Sequence, residues 1–180
     1  YKETAEAKSS QQPLAYPEFN FDKDKFFQTI WNRRSIRRFK KESISQASYW
    51  TILKQVEQPI PTESFEEIEI YSVINRVEGM ETGLYKGKDL IKSGDFSQKA
   101  GYLCVNQAIG RDSAATLFFV SDYRNYQNAV QLAGFLGQRL YLFSNYLGIE
   151  CSGIGAYYDD ETQQFLGTDK DILYVMAIGI

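Results

Sequence analysis

Apolar residues recur along this chain with two spacings, one typical of helices and the other typical of strands. Five segments are predicted to be helical: residues 22–34, 45–58, 96–110, 125–148 and 159–167. Ser45 should cap the second of these helices, and Pro59 with Pro61 should stop it. Asp95 is placed to cap the third, and Gly148 is placed to end the fourth and longest.

Strand patterns lie between these helices. Residues 68–77 alternate cleanly, and a turn at 77–83 leads into a short partner strand at 83–88, which predicts a hairpin. Residues 115–122 are a continuous apolar run of the length expected for a buried strand, and residues 171–180 should form a final strand. Because strands and helices interleave without strict β-α-β spacing, the sequence predicts an α+β fold.

The longest predicted helix carries a stripe of small and apolar residues. Its members are Val130, Ala133, Gly134, Gly137, Leu140, Tyr141, Ser144 and Leu147. Gly134 and Gly137 each cost about 1 kcal/mol relative to alanine in a helix. Some other part of the protein is therefore expected to approach the helix backbone there.

Length and composition indicate one domain. The chain has 180 residues, of which 43 % are apolar, enough for a core of ordinary size. Residues 1–19 are expected to be a mobile lead-in and residues 20–180 the folded domain. No window approaches the roughly 18 consecutive apolar residues of a membrane-spanning helix. Because the chain does not begin with Met, a removed targeting segment or a further domain stays open.

Histidine is absent from the sequence. Its absence excludes Ser-His-Asp and Cys-His nucleophile pairs, imidazole general bases and His-containing metal sites, and no metal site is predicted. Cys104 and Cys151 are too few for a disulfide scaffold or a tetrathiolate zinc site. They are expected to pack in the core of a cytoplasmic protein. Catalysis without histidine would draw its reactivity from an organic cofactor.

Residues 32–41 concentrate positive charge in a chain whose net charge is −3. The six cations are Arg33, Arg34, Arg37, Arg38, Lys40 and Lys41. In an extended segment, Arg33, Ser35 and Arg37 point the same way, so that two guanidinium groups flank one hydroxyl. Such donors suit a phosphate. A solvated basic turn is the alternative, and nucleic acid is disfavoured because no basic stripe continues elsewhere.

The segment 150–158 is punctuated by glycines and is predicted to be a turn. Gly153 and Gly155 would let backbone N–H groups approach a flat ligand closely. An ordinary tight turn between a helix and a strand is the alternative interpretation.

Taken together, these segments resemble the nitroreductase family of FMN enzymes. RRSIRRF at 33–39 is similar to that family's RRSxRxF signature, and residues 133–160 resemble its central helix and flavin loop. Residues 68–95 resemble a hairpin of its SagB-type dehydrogenase branch, which contains the azoline oxidases that convert thiazolines and oxazolines in ribosomal peptides to thiazoles and oxazoles. The resemblance runs over residues 20–180. It implies a nitroreductase-like α+β fold, with helices flanking a mostly antiparallel sheet.

The resemblance also implies an FMN phosphate site in the basic segment. Arg33 and Ser35 match the positions that hold the phosphate, and Arg34 lies beside them. Arg37 matches the basic residue at the pyrimidine edge of the isoalloxazine, where a cation stabilises the anionic reduced flavin.

The remaining implied contacts are with the flavin ring. Gly153, Ile154 and Gly155 match the loop whose backbone N–H faces flavin N5, where hydride arrives. Asn106 and Gln107 fall near the family's amide contact to the ring.

In this family FMN lies between the two subunits of an intertwined homodimer. The resemblance therefore implies a homodimer with the long helix at its centre and FMN at the subunit interface. A helix that packs only within its own chain is the alternative. The implied substrate is a peptide or a small molecule, and no nucleic acid or membrane partner is expected.

Three features depart from the SagB-type pattern. Residues 61–67 replace the usual Pro-Ser-Ala-Gly-Gly loop with a sequence that contains three acidic residues. The chain ends at Ile180, where many nitroreductases continue into an arm. An adjacent Lys-Tyr pair is also missing. Lys99 and Tyr102 instead share a helix face and are the candidate proton-handling pair, with a solvated lysine and a packed tyrosine as the alternative.

Three functional hypotheses follow. The first is an FMN-dependent SagB-type dehydrogenase that oxidises azolines in a peptide by hydride transfer to flavin N5. The second is an NAD(P)H-dependent nitro or quinone reductase. The third, motivated by the altered 61–67 loop, is a flavin-poor structural or substrate-binding relative in a peptide-modifying complex.

Overall fold

The computed structural model describes residues 20–60 and 66–180, which form six helices and six strands. The helices are α1 (Lys23–Asn32), α2 (Gln46–Val56), α3 (Ser97–Leu103), α4 (Ala108–Asp112), α5 (Tyr126–Tyr146) and α6 (Asp159–Leu166). The strands are β1 (Glu69–Ile74), β2 (Gly83–Lys86), β3 (Asp89–Ser93), β4 (Ala115–Ser121), β5 (Glu150–Ile154) and β6 (Asp171–Gly179). The predicted lead-in at residues 1–19 lies outside the described residues.

The six strands make one antiparallel sheet in the order β3-β2-β1-β4-β6-β5. Helices α2 and α5 pack on one face, and α3, α4 and α6 pack on the other. The alternation of β1 explains both cores, because Ile70 and Ile74 point towards α2 and α5 while Tyr71 and Val73 point to the opposite face. The predicted α+β fold with a strand buried on both sides is confirmed.

Ser45 and Gly148 act at helix ends as the sequence predicted, whereas Phe96 and not Asp95 is the N-cap of α3, and Asp22 is a cap that was not predicted. The side chain of Asp22 accepts a 2.9 Å hydrogen bond from the backbone of Lys25 and caps α1. Ser45 caps α2 through a 3.1 Å bond from the backbone of Ser48. Gly148 takes a φ of 77° just beyond α5, the left-handed conformation that stops a helix.

Three elements differ from the prediction. Residues 96–110 are not one helix, because Val105 and Asn106 adopt left-handed φ values of 54° and 56° between α3 and α4. The segment 150–158, predicted to be a turn, contains β5, whose five residues pair with β6. Strand β3 was not predicted and forms the edge of the sheet beside β2.

Helix α1 turns its apolar face outward. Thr29 is its buried residue, whereas Phe27, Ile30 and Trp31 are 61 %, 47 % and 77 % exposed. Both cysteines are free and buried, as expected. Within residues 20–60 and 66–180, no helix has the length and apolar character needed to cross a bilayer.

A partly exposed cluster of one carboxylate and two ammonium groups lies at the end of the sheet where β1 begins. The Glu69 carboxylate lies 3.0 Å from the Lys170 ammonium and 3.1 Å from that of Lys86. Burial alone would raise the pKa of Glu69, but its contacts with Lys170 and Lys86 outweigh burial and lower it. The ionised carboxylate therefore stabilises the folded state above the pKa that Glu69 has in the unfolded chain, and this contribution is lost as the pH falls.

Glu69→Gln is expected to lower the free energy of unfolding by about 1 kcal/mol at pH 7, since it removes the charge from two solvent-accessible ion pairs. Urea denaturation at pH 7 and near pH 4 measures the change, and the difference from wild type should shrink at the lower pH. The control is Asp122→Asn, because Asp122 is 74 % exposed and 3.7 Å from Lys170. A loss independent of pH would contradict the ion-pair explanation.

Candidate functional site

The basic segment 32–41 lies against β5, so the structure brings together two of the sequence-predicted regions. Ser35 forms an isolated parallel bridge with Cys151, and the backbone of Ile36 donates a 3.4 Å hydrogen bond to the Cys151 carbonyl. The backbone of Lys40 donates to the carbonyl of Ile180. The segment is thus fixed to the ends of β5 and β6.

Tyr141 of α5 joins the basic segment to the glycines of β5. Its hydroxyl lies 2.7 Å from the Ser35 hydroxyl and accepts a 2.6 Å hydrogen bond from the Gly153 backbone N–H. The Arg33 guanidinium lies over the Tyr141 ring, 4.9 Å from its centre, in a cation–π contact. Burial raises the pKa of the Cys151 thiol, and the positive charge of Arg33 acts in the opposite direction.

The arginines of this segment form no ion pair with a carboxylate in the described part of the chain. Among residues 20–60 and 66–180, no carboxylate pairs with Arg33, Arg34, Arg37 or Arg38. The Arg34 guanidinium donates to the carbonyls of Trp31 and Arg33 at the end of α1, at 2.9 and 2.8 Å. Arg37 and Arg38 are exposed.

Two glycines of the β5 segment have different surroundings. A Cβ added to Gly153 would lie 2.0 Å from the Tyr174 hydroxyl oxygen, whereas one added to Gly155 would meet no described atom within 4 Å. The N–H of Gly153 is already bound by Tyr141, and Ile154 pairs with Val175 in the sheet. Gly155 is therefore the glycine of this segment that leaves room for a flat ligand.

Tyr157 anchors the backbone just beyond Gly155. Its hydroxyl donates a 3.0 Å hydrogen bond to the carbonyl of Ile172, and burial raises the pKa of Tyr157 to about 12. The side chain is accordingly a neutral donor at physiological pH, and it holds the exit of β5 against β6.

Tyr174 explains one predicted feature of the long helix. A Cβ on Gly137 would lie 2.7 Å from the Tyr174 ring, which confirms that another part of the chain approaches the helix backbone there. Gly134 meets no described atom within 4 Å. It borders an open groove of about 310 Å³ between α5 and β6. The groove is lined by Val130, Ala133, Gly134, Gly137, Gln138, Tyr141, Leu173 and Tyr174.

The donor set at this site fits the FMN that the sequence resemblance implies. A phosphate dianion needs a cationic fork and a hydroxyl donor that are not already neutralised, and Arg33 and Ser35 supply them. Ser35 is exposed and can bind a second partner. The space beside Gly155 suits the ring end of such a cofactor.

Asn106 and Gln107 lie in the link between α3 and α4. Asn106 is exposed with a left-handed backbone, and Gln107 precedes α4 without a side-chain capping bond. Within the described residues, no hydrogen bond or ring contact connects either side chain to Tyr141 or to its partners Ser35 and Gly153. Their assignment to the flavin ring stays a prediction.

Lys99 and Tyr102 meet on α3 as their spacing predicted. The Lys99 ammonium lies over the face of the Tyr102 ring, 4.8 Å from its centre. The Tyr102 ring also packs on Tyr158, with ring centres 5.2 Å apart. Tyr158 follows Gly155 by three residues and donates its backbone N–H to Leu103. The pair therefore lies beside the exit of β5, while its catalytic role stays a prediction.

The acidic side chain of Glu66, in the altered loop, binds the backbone at the start of α5. Its carboxylate accepts hydrogen bonds from the backbone of Arg124 at 2.9 Å and of Asn125 at 2.8 Å, at the start of α5. Residues 61–65 lie outside the described residues. An acidic side chain beside a flavin phosphate would repel it, but the backbone N–H groups at the start of α5 bind the carboxylate of Glu66.

The hairpin motif has a structural role in this chain. The guanidinium of Arg76 donates to the carbonyls of Asp112 and Ser113, and Asn75 donates to Ser113 over 3.2 Å.

Tyr141 and Tyr174, which sequence reasoning did not select as site residues, are the side chains that organise the site. A phenol within a stripe of small helix residues is the signal that could have identified Tyr141.

Comparisons with known proteins agree with this fold. A sequence model of the nitroreductase family matches residues 30–180. A comparison with curated protein sequences found no match.

Several solved structures are similar to the chain. One, described as a candidate nitroreductase of Anabaena variabilis, is 28 % identical with a TM-score of 0.75, and the match covers 86 % of this chain and 37 % of that one. Nitroreductase A of Vibrio parahaemolyticus is 20 % identical with a TM-score of 0.67, over 86 % and 66 %. NADPH:FMN oxidoreductase of Vibrio harveyi is 19 % identical with a TM-score of 0.65, over 86 % and 68 %. The chain thus spans about a third of the first and two thirds of the others.

Proposed function

This chain belongs to the nitroreductase family, and on that premise we propose that it is an FMN-dependent oxidoreductase. The observation that carries the proposal is the set of arginines on 33–38 that have no acidic partner among residues 20–60 and 66–180, on a segment bound through Ser35 to β5. A cluster of like charges repels itself in solution, and an anionic ligand relieves that repulsion. The similarity to an NADPH:FMN oxidoreductase supports a flavin as this ligand.

The roles proposed for the residues are those that the resemblance to the family implies. Arg33 and Ser35 would hold the FMN phosphate, and Arg37 would lie at the pyrimidine edge of the ring. Gly155 would leave space for the ring. When bound, FMN supplies a two-electron acceptor that takes hydride at N5 and passes the electrons to O₂ or another oxidant.

The substrate proposed first is an azoline in a ribosomal peptide, as in the SagB-type branch. Aromatising an azoline removes a hydride from one ring carbon and a proton from the neighbouring atom. The hydride goes to the flavin, and the proton needs a base. Lys99 is the proposed acceptor in its neutral amine form, which takes up the proton to become an ammonium. Its position over the Tyr102 ring keeps it close to the segment that follows β5, and the Tyr102 ring then stabilises the ammonium that forms.

A second candidate function is reduction of nitro compounds or quinones with NAD(P)H. The similarity to proteins described as nitroreductase A and as NADPH:FMN oxidoreductase favours it. Both candidates use the same cofactor site and differ in what donates the hydride.

A homodimer is part of the proposal. Phe27, Ile30 and Trp31 present an apolar face on α1, and Phe135 of α5 is 50 % exposed. Apolar faces of this kind are usual where subunits meet. Covering them with a second copy would also place a partner surface beside the groove along α5.

The experiment reconstitutes the purified chain with FMN, removes free flavin by gel filtration and measures bound flavin and particle mass by light scattering. We expect about one FMN per chain and a dimer. Anaerobic stopped-flow mixing then follows flavin bleaching with NAD(P)H alone and with an azoline-containing peptide alone. Bleaching by the peptide supports azoline oxidation, and bleaching by NAD(P)H alone supports the reductase. A chain that elutes without FMN would overturn the oxidoreductase and support the flavin-poor relative.

A further inference from the structure

The hydrogen bonds around Tyr141 have a direction that the geometry determines. The Gly153 N–H can only donate, so the Tyr141 oxygen is its acceptor at 2.6 Å. The Ser35 hydroxyl lies 2.7 Å from the same oxygen. If Ser35 were the donor, the single hydrogen of Tyr141 would need a further acceptor.

The residues around Tyr141 do not provide one. Tyr141 is 7 % exposed, and within residues 20–60 and 66–180 its hydroxyl has no hydrogen-bond partner besides Ser35 and Gly153. An unpaired buried O–H is costly. The arrangement that satisfies every atom has Tyr141 donating to Ser35.

This direction decides what Ser35 can bind. The Ser35 oxygen accepts the Tyr141 hydrogen, so the hydrogen of Ser35 points away from Tyr141 and can be donated to another group. Ser35 is exposed, and Arg33 is held nearby over the Tyr141 ring. A donor beside a guanidinium selects a group that only accepts hydrogen bonds.

We infer that Tyr141 is a positioning residue that keeps Ser35 as an outward-facing donor and thereby selects the phosphorylated flavin over riboflavin. The inference rests on the proposed function and adds a specificity determinant to the same site. The chain of donors runs from the Gly153 N–H through the Tyr141 hydroxyl to the Ser35 hydroxyl and ends at the ligand phosphate. Charge on the phosphate strengthens each bond along this chain.

The test compares Tyr141→Phe with wild type in fluorescence titrations with FMN and with riboflavin. FMN affinity should fall roughly tenfold, because Ser35 is then no longer held as a donor and its charge-assisted hydrogen bond to the phosphate is weakened. Riboflavin affinity should change less than twofold, since riboflavin has no phosphate. Tyr85→Phe is the matched control, because it removes a phenol that donates 2.9 Å to the Glu81 carbonyl, remote from the site. It should leave both affinities unchanged.

A merely structural role for Tyr141 would weaken both ligands equally, and that result would overturn the inference while leaving the FMN proposal intact. Wild-type protein that binds neither ligand would overturn both.

A second measurement does not depend on the stability of the phenylalanine variant. Ligand-free Ser35→Ala protein is compared with ligand-free wild type. The substitution removes the acceptor of the Tyr141 hydrogen. The Gly153 amide resonance in a ¹⁵N–¹H correlation spectrum should shift although Ser35 does not touch Gly153. An unchanged Gly153 resonance would overturn the inference.

Discussion

Arg33→Ala is expected to weaken FMN binding roughly 10–100-fold, the range associated with a charge-assisted hydrogen bond to a phosphate. Arg33 is the half-buried arginine of the basic segment, and its cation–π contact with Tyr141 holds it beside Ser35. Alanine removes the charge and also uncovers the Tyr141 ring. Fluorescence titration measures the loss, and riboflavin affinity should change far less than FMN affinity.

Variants of Arg37 and Arg38 distinguish a direct contact with FMN from long-range electrostatic attraction. Arg37→Ala should weaken FMN and riboflavin alike and lower the flavin reduction potential by on the order of 30 mV, because Arg37 is proposed to face the ring. Arg38→Ala removes an equal charge from an exposed position with no proposed contact. Its effect should stay within about threefold and vanish in high salt.

Equal losses in all three variants would show that the segment acts only through its overall charge. Stoichiometric FMN in both Arg33→Ala and Arg37→Ala would exclude residues 32–41 as the flavin site. In that case the family fold would remain, and the oxidoreductase would need another binding region.

Most of the fold was predictable because its elements carry local signals. The alternation of β1, the apolar run of β4 and the capping residues Asp22 and Ser45 each specify structure within a few neighbours. The break between α3 and α4 has no such signal. It is required by packing, since a Cβ on Gly110 would lie 3.0 Å from the Ala100 carbonyl oxygen and from the Cys104 sulfur. The two helices fold back on each other, which one continuous helix would prevent.

Strand β5 was predicted as a turn for a related reason. Glycine favours turns over strands, and residues 150–158 contain two of them. The strand forms because β6 pairs with it and because Tyr174 fills the space above Gly153. Residue types at the site were likewise readable as Arg33, Ser35 and Arg37, whereas the link through Tyr141 joins residues 106 and 12 positions apart. Contacts at such separation follow from the fold and not from local spacing.

Gly153→Ala is expected to destabilise the ligand-free protein by about 3 kcal/mol, at the upper end of ordinary overpacking. The added Cβ would lie 2.0 Å from the Tyr174 hydroxyl oxygen and 2.9 Å from the ring carbon that bears it. The Tyr174 ring lies against Gly137 of α5, which blocks its movement on that side. Thermal denaturation should show a fall in the unfolding temperature of roughly 6–12 °C for a domain of this size.

Two further variants test whether the wedge is the cause. Gly155 is two residues away from Gly153, and a Cβ there would meet no described atom within 4 Å. Gly155→Ala should therefore leave the unfolding temperature within about 2 °C of wild type. Tyr174→Phe removes the nearest clashing oxygen, so the double variant with Gly153→Ala should recover at least half of the loss. Additive losses in the double variant would contradict the steric explanation. Recovery would establish that Gly153 is a glycine because Tyr174 occupies its side-chain space, which leaves Gly155 as the position open to the cofactor.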